Sequence, residues 1–570
     1  MTDSPAKAPA STSRAEFQLK WEHPDDQKLF WTQDPMHFPD ALSPLTATFE
    51  PPSFDKGAWK AFEELSMPVR MRARAFDGYL YNAAQPASSD PAELERLGRL
   101  SQEHARAAVM SIEHDWNDRY LPELKSDVAA FRAFDYANAT KSALADHIDW
   151  VVARRIRHWY LHFLIVFPGF VSVNAFTDVY KQIFNTTDEF EPHVLLQGLP
   201  NRTVEGGHAL WRLSRLAAKS PAVREALTRT EPDDVFGRLQ NTPEGREFAA
   251  AFRAYLDEFG WRGDSWNMDD RTWVEYPKRP LATLRGYLLQ PDDASPELMH
   301  ATLVTKREAA IAEARVKLAG TSAEQRGQFE GMLRAAQLGN VLHEDHNYYI
   351  DQMLQHLSRR AFMEVGRRLV AQGRITTEED VLYLTVPELQ GAIHSSDTGD
   401  LRGLIDARRQ DHERQRSIVP PRTLGTPPPA DAGPNALEAG LVKFFGGRVE
   451  QSTEPTQIRG NAGSRGKISG TARVAMTLEQ AADLQPGEIL VCPTTAPSWT
   501  PLFATAAAVV TDTGGILSHC AVVAREFGIP AVVGTHAATS RIKTGQHITV
   551  DGSRGIVTIE SASPSASPLR

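Results

Sequence analysis

The sequence is poor in cysteine and has no cysteine–histidine pattern that would hold zinc. Cys492 and Cys520 are the only two cysteines among 570 residues. A disulfide scaffold and a structural zinc site are therefore disfavoured, and a reducing, cytoplasmic location is expected. The first residues, MTDSPAKAPASTSRAEF, lack an apolar core, so they are not predicted to act as a signal peptide.

Long basic runs and long uninterrupted apolar runs are missing as well. The net charge of -10 would repel a polyanion from most of the surface, so nucleic acid is not expected as a partner. A local basic pocket for a phosphate stays compatible with this charge. The longest apolar stretch, near Tyr160–Val173, is interrupted by His162, Pro168 and Gly169. It is too short to span a bilayer and predicts a buried element, so no membrane is expected as a partner.

The length and the 41% hydrophobic content suffice for several domains. Helical spacing of apolar residues predicts a large, mainly α-helical domain over residues 29–416. Residues 458–560 contain short β-branched segments bounded by glycine, proline or asparagine, which predict a compact α/β domain. Six of these segments are predicted to be strands: KISGTARVAM, GEILVCP, AAAVVTDTGG, IPAVVG, HITVDG and GIVTIE. Residues 417–457 are predicted to be a Pro/Gly-rich linker with a short helix. Residues 1–28 and 561–570 are predicted to be a disordered leader and a disordered tail.

The segment Val509–Gly534 carries the clearest chemical pattern. A strand is predicted to run into a glycine turn, and a helix then begins near Ser518 with His519 in its first turn. Glycines allow the backbone to approach an anion, and the free N–H groups of a helix start suit a phosphate on the imidazole. An imidazole is also a competent nucleophile toward phosphorus. The candidate phosphate-binding residues are Thr513, Gly514, Gly515, Ser518 and Arg525.

Spacing alone leaves a second interpretation open. Gly-Gly turns before capped helices are common, and Ser518 would then be only an N-cap. Arg525 would pair equally well with a phosphoryl group or with a neighbouring carboxylate. Cys520, although it adjoins His519, is expected to pack rather than to react.

The longer string TGGILSHCAVVAREFGIPAVVG resembles the phosphohistidine signature of the phosphoenolpyruvate-utilising enzymes, such as phosphoenolpyruvate synthase, pyruvate phosphate dikinase, rifampicin phosphotransferase and phenylphosphate synthase. The likeness extends upstream through PTTAPSWTPLF and GNAGSRGKISGTARV and downstream through HITVDGSRGIVTI. It covers about 100 residues and implies a swivelling β/β/α domain in which His519 carries the phosphoryl group.

Full-length members of that family begin with an ATP-grasp domain, and some end in a barrel that binds pyruvate. This sequence shows no glycine-rich phosphate loop before the helical region. The resemblance therefore implies that ATP and Mg²⁺ or Mn²⁺ are bound mainly by a separate ATP-grasp subunit, which would split ATP into AMP and phosphate. No cofactor is expected to bind tightly in this chain, and no metal site is predicted in it.

Three segments of the helical region resemble the acceptor-binding part of rifampicin phosphotransferase: Leu29–Thr46, Phe259–Pro277 and Leu342–Arg360. They are more similar still to the histidine-bearing subunit of split aryl kinases, such as phenylphosphate synthase and the hydroxyphenyl-ketone (acetovanillone-type) kinases of lignin-aromatic breakdown. The resemblance implies transfer from phospho-His519 to the hydroxyl of a phenolic acceptor. A rifampicin-type antibiotic phosphotransferase subunit and a non-catalytic phosphohistidine relay remain alternatives.

The segment GWRGDSWNM offers candidate acceptor-site residues on a glycine-flanked loop. Arg262 is expected to clamp the phosphoryl group and Asp264 to orient the acceptor hydroxyl. Trp261, Trp266 and Asn267 would contact the acceptor. The alternative is an Arg–Asp pair that braces two helices while the tryptophans pack.

In HEDHNYYIDQ, helical spacing places His343 and His346 on one face together with Tyr349 or Ile350. The same spacing turns Asp345 and Asp351 elsewhere, so no carboxylate completes a metal ligand set on that face.

One of these histidines is predicted to accept the phenolic proton, and His346 is the candidate catalytic residue. His343, Tyr348 and Tyr349 would line an aromatic slot for the acceptor. The alternative is a polar helix face in a core seam. Five other histidines lie on apolar stretches and are predicted to be mostly structural: His147, His158, His162, His193 and His208.

Overall fold

In the computed structural model, the described residues are 15–230, 234–394, 399–427, 443, 446–447, 449–481 and 484–560. They form a large helical domain with a small sheet and a C-terminal domain built on a second sheet. This confirms the predicted fold class. Residues 1–14 of the predicted leader, residues 428–442, 444–445 and 448 of the predicted linker, which include most of its short helix, and the predicted tail at 561–570 lie outside the described residues.

The first domain contains fifteen α-helices among its described residues. They are α1 Pro44–Glu64, α2 Pro91–Asp115, α3 Leu121–Ala133, α4 Lys141–Phe184, α5 Glu191–Val194, α6 Arg202–Ala218, α7 Pro221–Arg229, α8 Val235–Leu239, α9 Pro243–Phe259, α10 Lys278–Leu288, α11 Pro296–Leu318, α12 Ala323–His346, α13 Gln355–Ala371, α14 Val386–His394 and α15 Arg402–Arg416. Two π-helical segments continue α2 and α12: Trp116–Tyr120 and Asn347–Leu354.

Helix α4 lies at the centre of this domain and packs against α1 and α12. Gly169 and Gly339 meet where α4 crosses α12: a Cβ at Gly339 would lie 2.8 Å from the Gly169 carbonyl oxygen. Glycine at both positions therefore lets the two helices approach closely. By length and composition alone, α4 would be long and apolar enough to cross a membrane, a test that core helices of globular domains also pass.

A four-stranded antiparallel sheet covers one side of the helices, in the order β2-β3-β1-β4. Its strands are β1 Phe30–Gln33, β2 Val69–Phe76, β3 Tyr79–Pro86 and β4 Thr423–Gly425. No sheet was predicted in this region from the sequence. Strand β4 falls within the predicted linker, so the start of that segment is part of the first domain.

The structure also differs from the predicted leader over residues 15–28. Trp21 packs edge-on against Phe76 at 5.2 Å between ring centroids, and Asp26 is buried. The Asp26 carbonyl accepts a hydrogen bond from the indole N–H of Trp31. These contacts hold residues near 21–31 against the first sheet.

The C-terminal domain is built on an eight-stranded mixed sheet in the order β5-β12-β11-β7-β8-β9-β10-β6. The strands are β5 Gln457–Arg459, β6 Asn461–Ser464, β7 Lys467–Val474, β8 Ile489–Cys492, β9 Ala508–Thr511, β10 Ala531–Val533, β11 His547–Asp551 and β12 Ile556–Ile559. The described helices are α16 Leu478–Ala481, α17 His519–Glu526 and α18 Ala538–Arg541. The six strands predicted from the sequence are confirmed, and β5 and β6 are added.

The two domains share a contact surface around α17. The Gly198 N–H donates to the Glu526 carboxylate at 2.8 Å, and the Tyr287 hydroxyl donates to the Pro501 carbonyl at 3.2 Å. Leu517 joins an apolar cluster with Val173 and other residues of the helical domain. The start of α17 is thereby held against the helical domain.

Candidate functional site

His519 is the first residue of α17, and Ser518 is the N-cap, whose hydroxyl accepts the Ala521 N–H. The preceding turn contains Gly514 at φ +108°, a backbone conformation that favours glycine. A short strand, a glycine turn and a capped helix thus place one imidazole at a helix start, as the sequence predicted. The helix N-terminus favours negative charge beside that imidazole.

Arg525 braces this turn. Its guanidinium donates to the Gly463 carbonyl at 2.9 Å and to the Ile516 carbonyl at 2.8 Å, and burial lowers its pKa to about 10. Its predicted contact with a phosphoryl group remains a prediction. Thr513 donates its hydroxyl to the Pro493 carbonyl, and the Gly514 carbonyl accepts from Asn461.

The His519 ring is buried between the domains, with 6% of the residue exposed. Its Nδ1 lies 3.3 Å from Glu344 Oε1, and its Nε2 lies 3.4 Å from the Thr500 hydroxyl. The other oxygen of Glu344 accepts the Thr203 hydroxyl at 2.7 Å. Glu344 lies in the last turn of α12 in the helical domain, so the contact between His519 and Glu344 joins the two domains.

Glu344 is ionised at neutral pH. Burial alone would raise the pKa of this carboxyl, but the charge and hydrogen bond of His519 outweigh burial and, with Thr203 and His343, hold that pKa at about 2. A carboxylate at Nδ1 selects the tautomer with hydrogen on Nδ1, which leaves the lone pair on Nε2. Nε2 is therefore the nitrogen of His519 that keeps a lone pair in the neutral ring.

His519 also lines a cavity of about 140 Å³ in the helical domain. The volume is close to that of an engineered apolar cavity, about 150 Å³, that binds benzene. Six aromatic side chains contribute to its wall: Phe38, Phe54, Trp159, Phe163, Phe170 and Trp266. Its polar lining comes from Asp34, His37, Glu50, Asn82, His162, Ser265, His343, His346, Asn347 and Thr495. We call this space the central cavity.

Three predicted acceptor-domain residues meet in the central cavity: Trp266, His343 and His346. Trp266 is buried and stacks on His37 with 3.9 Å between ring centroids. Burial lowers the pKa of His343 to about 4, so its ring is neutral at physiological pH.

Two other predicted residues, Arg262 and Asp264, are not among the described residues that line the central cavity. Arg262 is buried, and its guanidinium lies over the rings of Trp273 and Tyr348. Asp264 forms an ion pair with Arg279 at 3.1 Å. Both positions favour a bracing role, and their catalytic roles remain predictions.

The four remaining predicted acceptor residues contact other protein groups. Asn267 accepts the Thr46 hydroxyl, and the Tyr348 hydroxyl donates to the Glu258 carbonyl at 2.6 Å. Trp261 packs at the edge of the main core, and Tyr349 packs against Tyr348. Direct contact of these four residues with an acceptor remains a prediction.

Sequence periodicity was wrong about Asp351. The expectation that Asp351 turns away from His346 assumed α-helical spacing, whereas residues Asn347–Leu354 form a π-helix. In a π-helix, residues five apart lie on one face, so Asp351 faces His346, with 3.3 Å between Oδ2 and Nε2. His162, predicted to be structural, lines the cavity and lies 3.1 Å from Asp351.

Sequence reasoning also missed the pair Asp34–His37, which lies after β1 in the segment QDPMHFPD. His37 Nδ1 is 2.9 Å from Asp34 Oδ2, and the backbone N–H of His37 donates to Oδ1 of the same carboxylate. Burial would raise the pKa of Asp34, but the charge and hydrogen bonds of His37, together with Asn82, lower it. The Asp-x-x-His spacing was the available signal.

Comparison with protein families assigns both domains. Residues 484–555 match the family described as PEP-utilising enzyme, mobile domain. Residues 162–344 match the family described as rifampicin phosphotransferase fourth domain. The second match begins at His162 and ends at Glu344, so both residues lie within it.

Curated relatives align with most of this chain. It is 35% identical to the chondramide synthase of Chondromyces crocatus, over 97% of this chain and 14% of that protein. It is 29% identical to an uncharacterised phosphotransferase of Bacillus subtilis, over 94% of this chain and 63% of the relative. Identity to the rifampicin phosphotransferase of Streptomyces sviceus is 27%, over 84% of this chain and 51% of that protein.

The chain thus spans less than two thirds of the length of each of these relatives. The predicted resemblance is confirmed over both domains. The chain therefore contains a mobile domain of the PEP-utilising enzyme type, joined to a helical region of the rifampicin phosphotransferase fourth-domain type.

Proposed function

We propose that this chain transfers a phosphoryl group from phospho-His519 to the hydroxyl of a small aromatic acceptor bound in the central cavity. One observation carries the proposal: His519 of the mobile domain forms part of the wall of an aromatic cavity that belongs to the helical domain. The ring of His519 is buried against the helical domain. A carrier histidine needs this position when it delivers its phosphoryl group.

The reaction requires only position and charge. The acceptor oxygen attacks the phosphorus, the P–N bond breaks, and its electron pair returns to Nε2 of His519. Glu344 keeps the proton on Nδ1 and stabilises the positive charge of the phosphorylated ring. The hydroxyl proton passes to a histidine of the cavity. We assign this role to His37, because Asp34 fixes hydrogen on Nδ1 and leaves Nε2 as the base.

The other half of the proposed reaction is the phosphorylation of His519. We propose that an ATP-grasp subunit, with ATP and Mg²⁺ or Mn²⁺, phosphorylates His519 after the mobile domain leaves Glu344. One histidine cannot meet both partners at once, so the domain must move between them. We place the reaction in the cytoplasm, in keeping with two buried free thiols at Cys492 and Cys520.

The size of the cavity favours a single aromatic ring over an antibiotic-sized acceptor. The similarity to rifampicin phosphotransferases supports phosphoryl transfer to a hydroxyl, but about 140 Å³ suits a phenol. A relay protein without an acceptor would be expected to present an exposed apolar patch in place of an aromatic-lined cavity.

The test is reconstitution with an ATP-grasp subunit and a graded panel of phenols, followed by detection of phosphorylated acceptor and AMP by mass spectrometry. We expect acceptor-dependent AMP formation with the wild-type chain and none with His519→Ala. The matched control is His547→Ala, because His547 is an exposed histidine of the same domain. Transfer by His519→Ala would refute the carrier role. Transfer to rifampicin but to none of the phenols would refute the small acceptor.

A further inference from the structure

A compact group of three ligand-type side chains lies in the wall of the central cavity: His162 on α4, His346 at the end of α12, and Asp351 in the π-helical segment. One ligand atom from each lies within 4.8 Å of the others. His346 and Asp351 are almost fully buried, and His162 is 9% exposed. Both histidines line the central cavity, so a ligand there would be reached from the space that His519 also faces.

The hydrogen bond of His346 to Leu342 leaves no hydrogen between the neutral His346 ring and Asp351. Nδ1 of His346 lies 2.7 Å from the Leu342 carbonyl oxygen, which can only accept, so Nδ1 carries hydrogen. In the neutral ring Nε2 then carries a lone pair, and this lone pair faces Asp351 Oδ2 at 3.3 Å. Oδ2 is buried and accepts no hydrogen bond. Two facing lone pairs in a buried site require a cation between them or a proton on the ring.

We propose that His162, His346 and Asp351 bind a divalent transition-metal ion. Two histidines and one carboxylate form a ligand set that suits zinc, manganese, iron or cobalt. Two ligands about 2.1 Å from a tetrahedral ion lie about 3.4 Å apart, which is close to the separation of Nε2 and Oδ2. Metal-binding histidines usually donate their other N–H to a carbonyl or carboxylate, as His346 does to Leu342.

The site has an open side toward the cavity. Asn347 follows His346, lines the cavity, and its buried Oδ1 has no hydrogen-bond partner. The remaining coordination positions would therefore take Asn347, water or the acceptor hydroxyl. A metal-bound hydroxyl loses its proton more readily, which would assist attack on phospho-His519. This role in activation rests on the proposed function, whereas the metal site itself does not.

The test uses the full chain, stripped with a chelator and titrated with Co²⁺ alone. We expect one equivalent to bind with a visible absorption band of a four- or five-coordinate ion, displaced by Zn²⁺. Proton NMR should show paramagnetically shifted N–H signals from two histidine ligands. Asp351→Asn should weaken Co²⁺ binding at least tenfold, and circular dichroism would check its fold. His162→Gln provides a second variant should Asp351→Asn unfold.

The matched control is His356→Gln. His356 is buried on α13, and its Nδ1 bonds to the carbonyl four residues earlier, as in His346, but it lies outside the three-residue group. This variant should bind Co²⁺ like the wild type. Lack of stoichiometric binding by the wild type, or equal binding by folded His162→Gln, would overturn the metal site in favour of a protonated His346. Because neither phosphoryl donor nor acceptor is present, that failure would leave the transfer proposal standing.

Discussion

The carboxylate of Glu344 should affect only one half of the reaction. Glu344→Gln keeps the shape of the side chain but removes the charge that faces Nδ1 of His519 at 3.3 Å. His519 leaves this contact when it meets its donor, so phosphorylation of His519 should be unchanged. Transfer to the acceptor should slow, because the phosphorylated ring loses the anion that stabilises its positive charge.

The magnitude follows from two independent estimates. A buried hydrogen bond to a charged group contributes about 1.5–3 kcal/mol. The Glu344 carboxyl has its pKa lowered from 4.5 to about 2, against the effect of burial, by His519 first of all. That shift corresponds to up to about 3 kcal/mol at about 1.4 kcal/mol per pKa unit. The expected loss in the transfer rate is therefore about 10- to 100-fold.

The assay separates the half-reactions. His519 is phosphorylated chemically with phosphoramidate, excess donor is removed, and phenol is added; intact mass then follows loss of the phosphoryl group. Asp345→Asn is the matched control, since Asp345 is a carboxylate on the same helix that accepts the Arg202 backbone N–H instead of contacting His519. Because the pKa of Glu344 is lowered, its contribution is present above about 4.5 and is lost only as the pH falls toward about 2. A Glu344→Gln chain that transfers at the wild-type rate near neutral pH would refute the role of this carboxylate.

Two further predictions concern the cavity and the domain contact. Trp266→Leu removes a ring that lines the cavity and stacks on His37 with 3.9 Å between ring centroids. The Kd of a phenol, measured by calorimetry, should rise about tenfold, which corresponds to about 1.4 kcal/mol for the lost stacking. An unchanged Kd would place the acceptor elsewhere. Burial raises the pKa of Glu526 to about 7, while its carboxylate accepts the Gly198 N–H of the other domain. A raised carboxyl pKa makes the contact strongest at low pH and weaker as the pH rises through about 7. Small-angle scattering should therefore show the domains separating as the pH rises from about 4.5 to about 7 in the wild type but not in Glu526→Gln. A flat wild-type profile would contradict this.

Local sequence signals were sufficient where the structure is local. The strand, glycine turn and capped helix around His519 depend on neighbours within a few residues, and the structure has them as predicted. The six predicted strands of the mobile domain were recognisable for the same reason, since β-branched runs between turn residues need no partner to be identified. The resemblance around His519 added the family, which the comparisons confirm.

The lining of the central cavity was predicted less well because it is assembled from distant segments. His37, Trp159, Trp266 and His346 come from four parts of the chain, and no spacing rule relates them. The hairpin of β2 and β3 was overlooked, although its two eight-residue strands pair locally. Strands β1 and β4 were missed because they pair across almost 400 residues. A strand of three or four residues has too little periodicity to be recognised alone.

The sequence by itself determined the setting of His519: its place at a helix start, the fold of its domain, and the family of that domain. Only the tertiary structure decided what that histidine faces, because Glu344 and the cavity wall are brought to it by packing of two domains. The tertiary structure also decided the orientation of Asp351. The same residues can form an α-helix or a π-helix, and the packing of the surrounding helices selects the π-helix here. Short-range hydrogen bonds can be recognised in a sequence, whereas burial and the closure of a cavity depend on every segment that packs there.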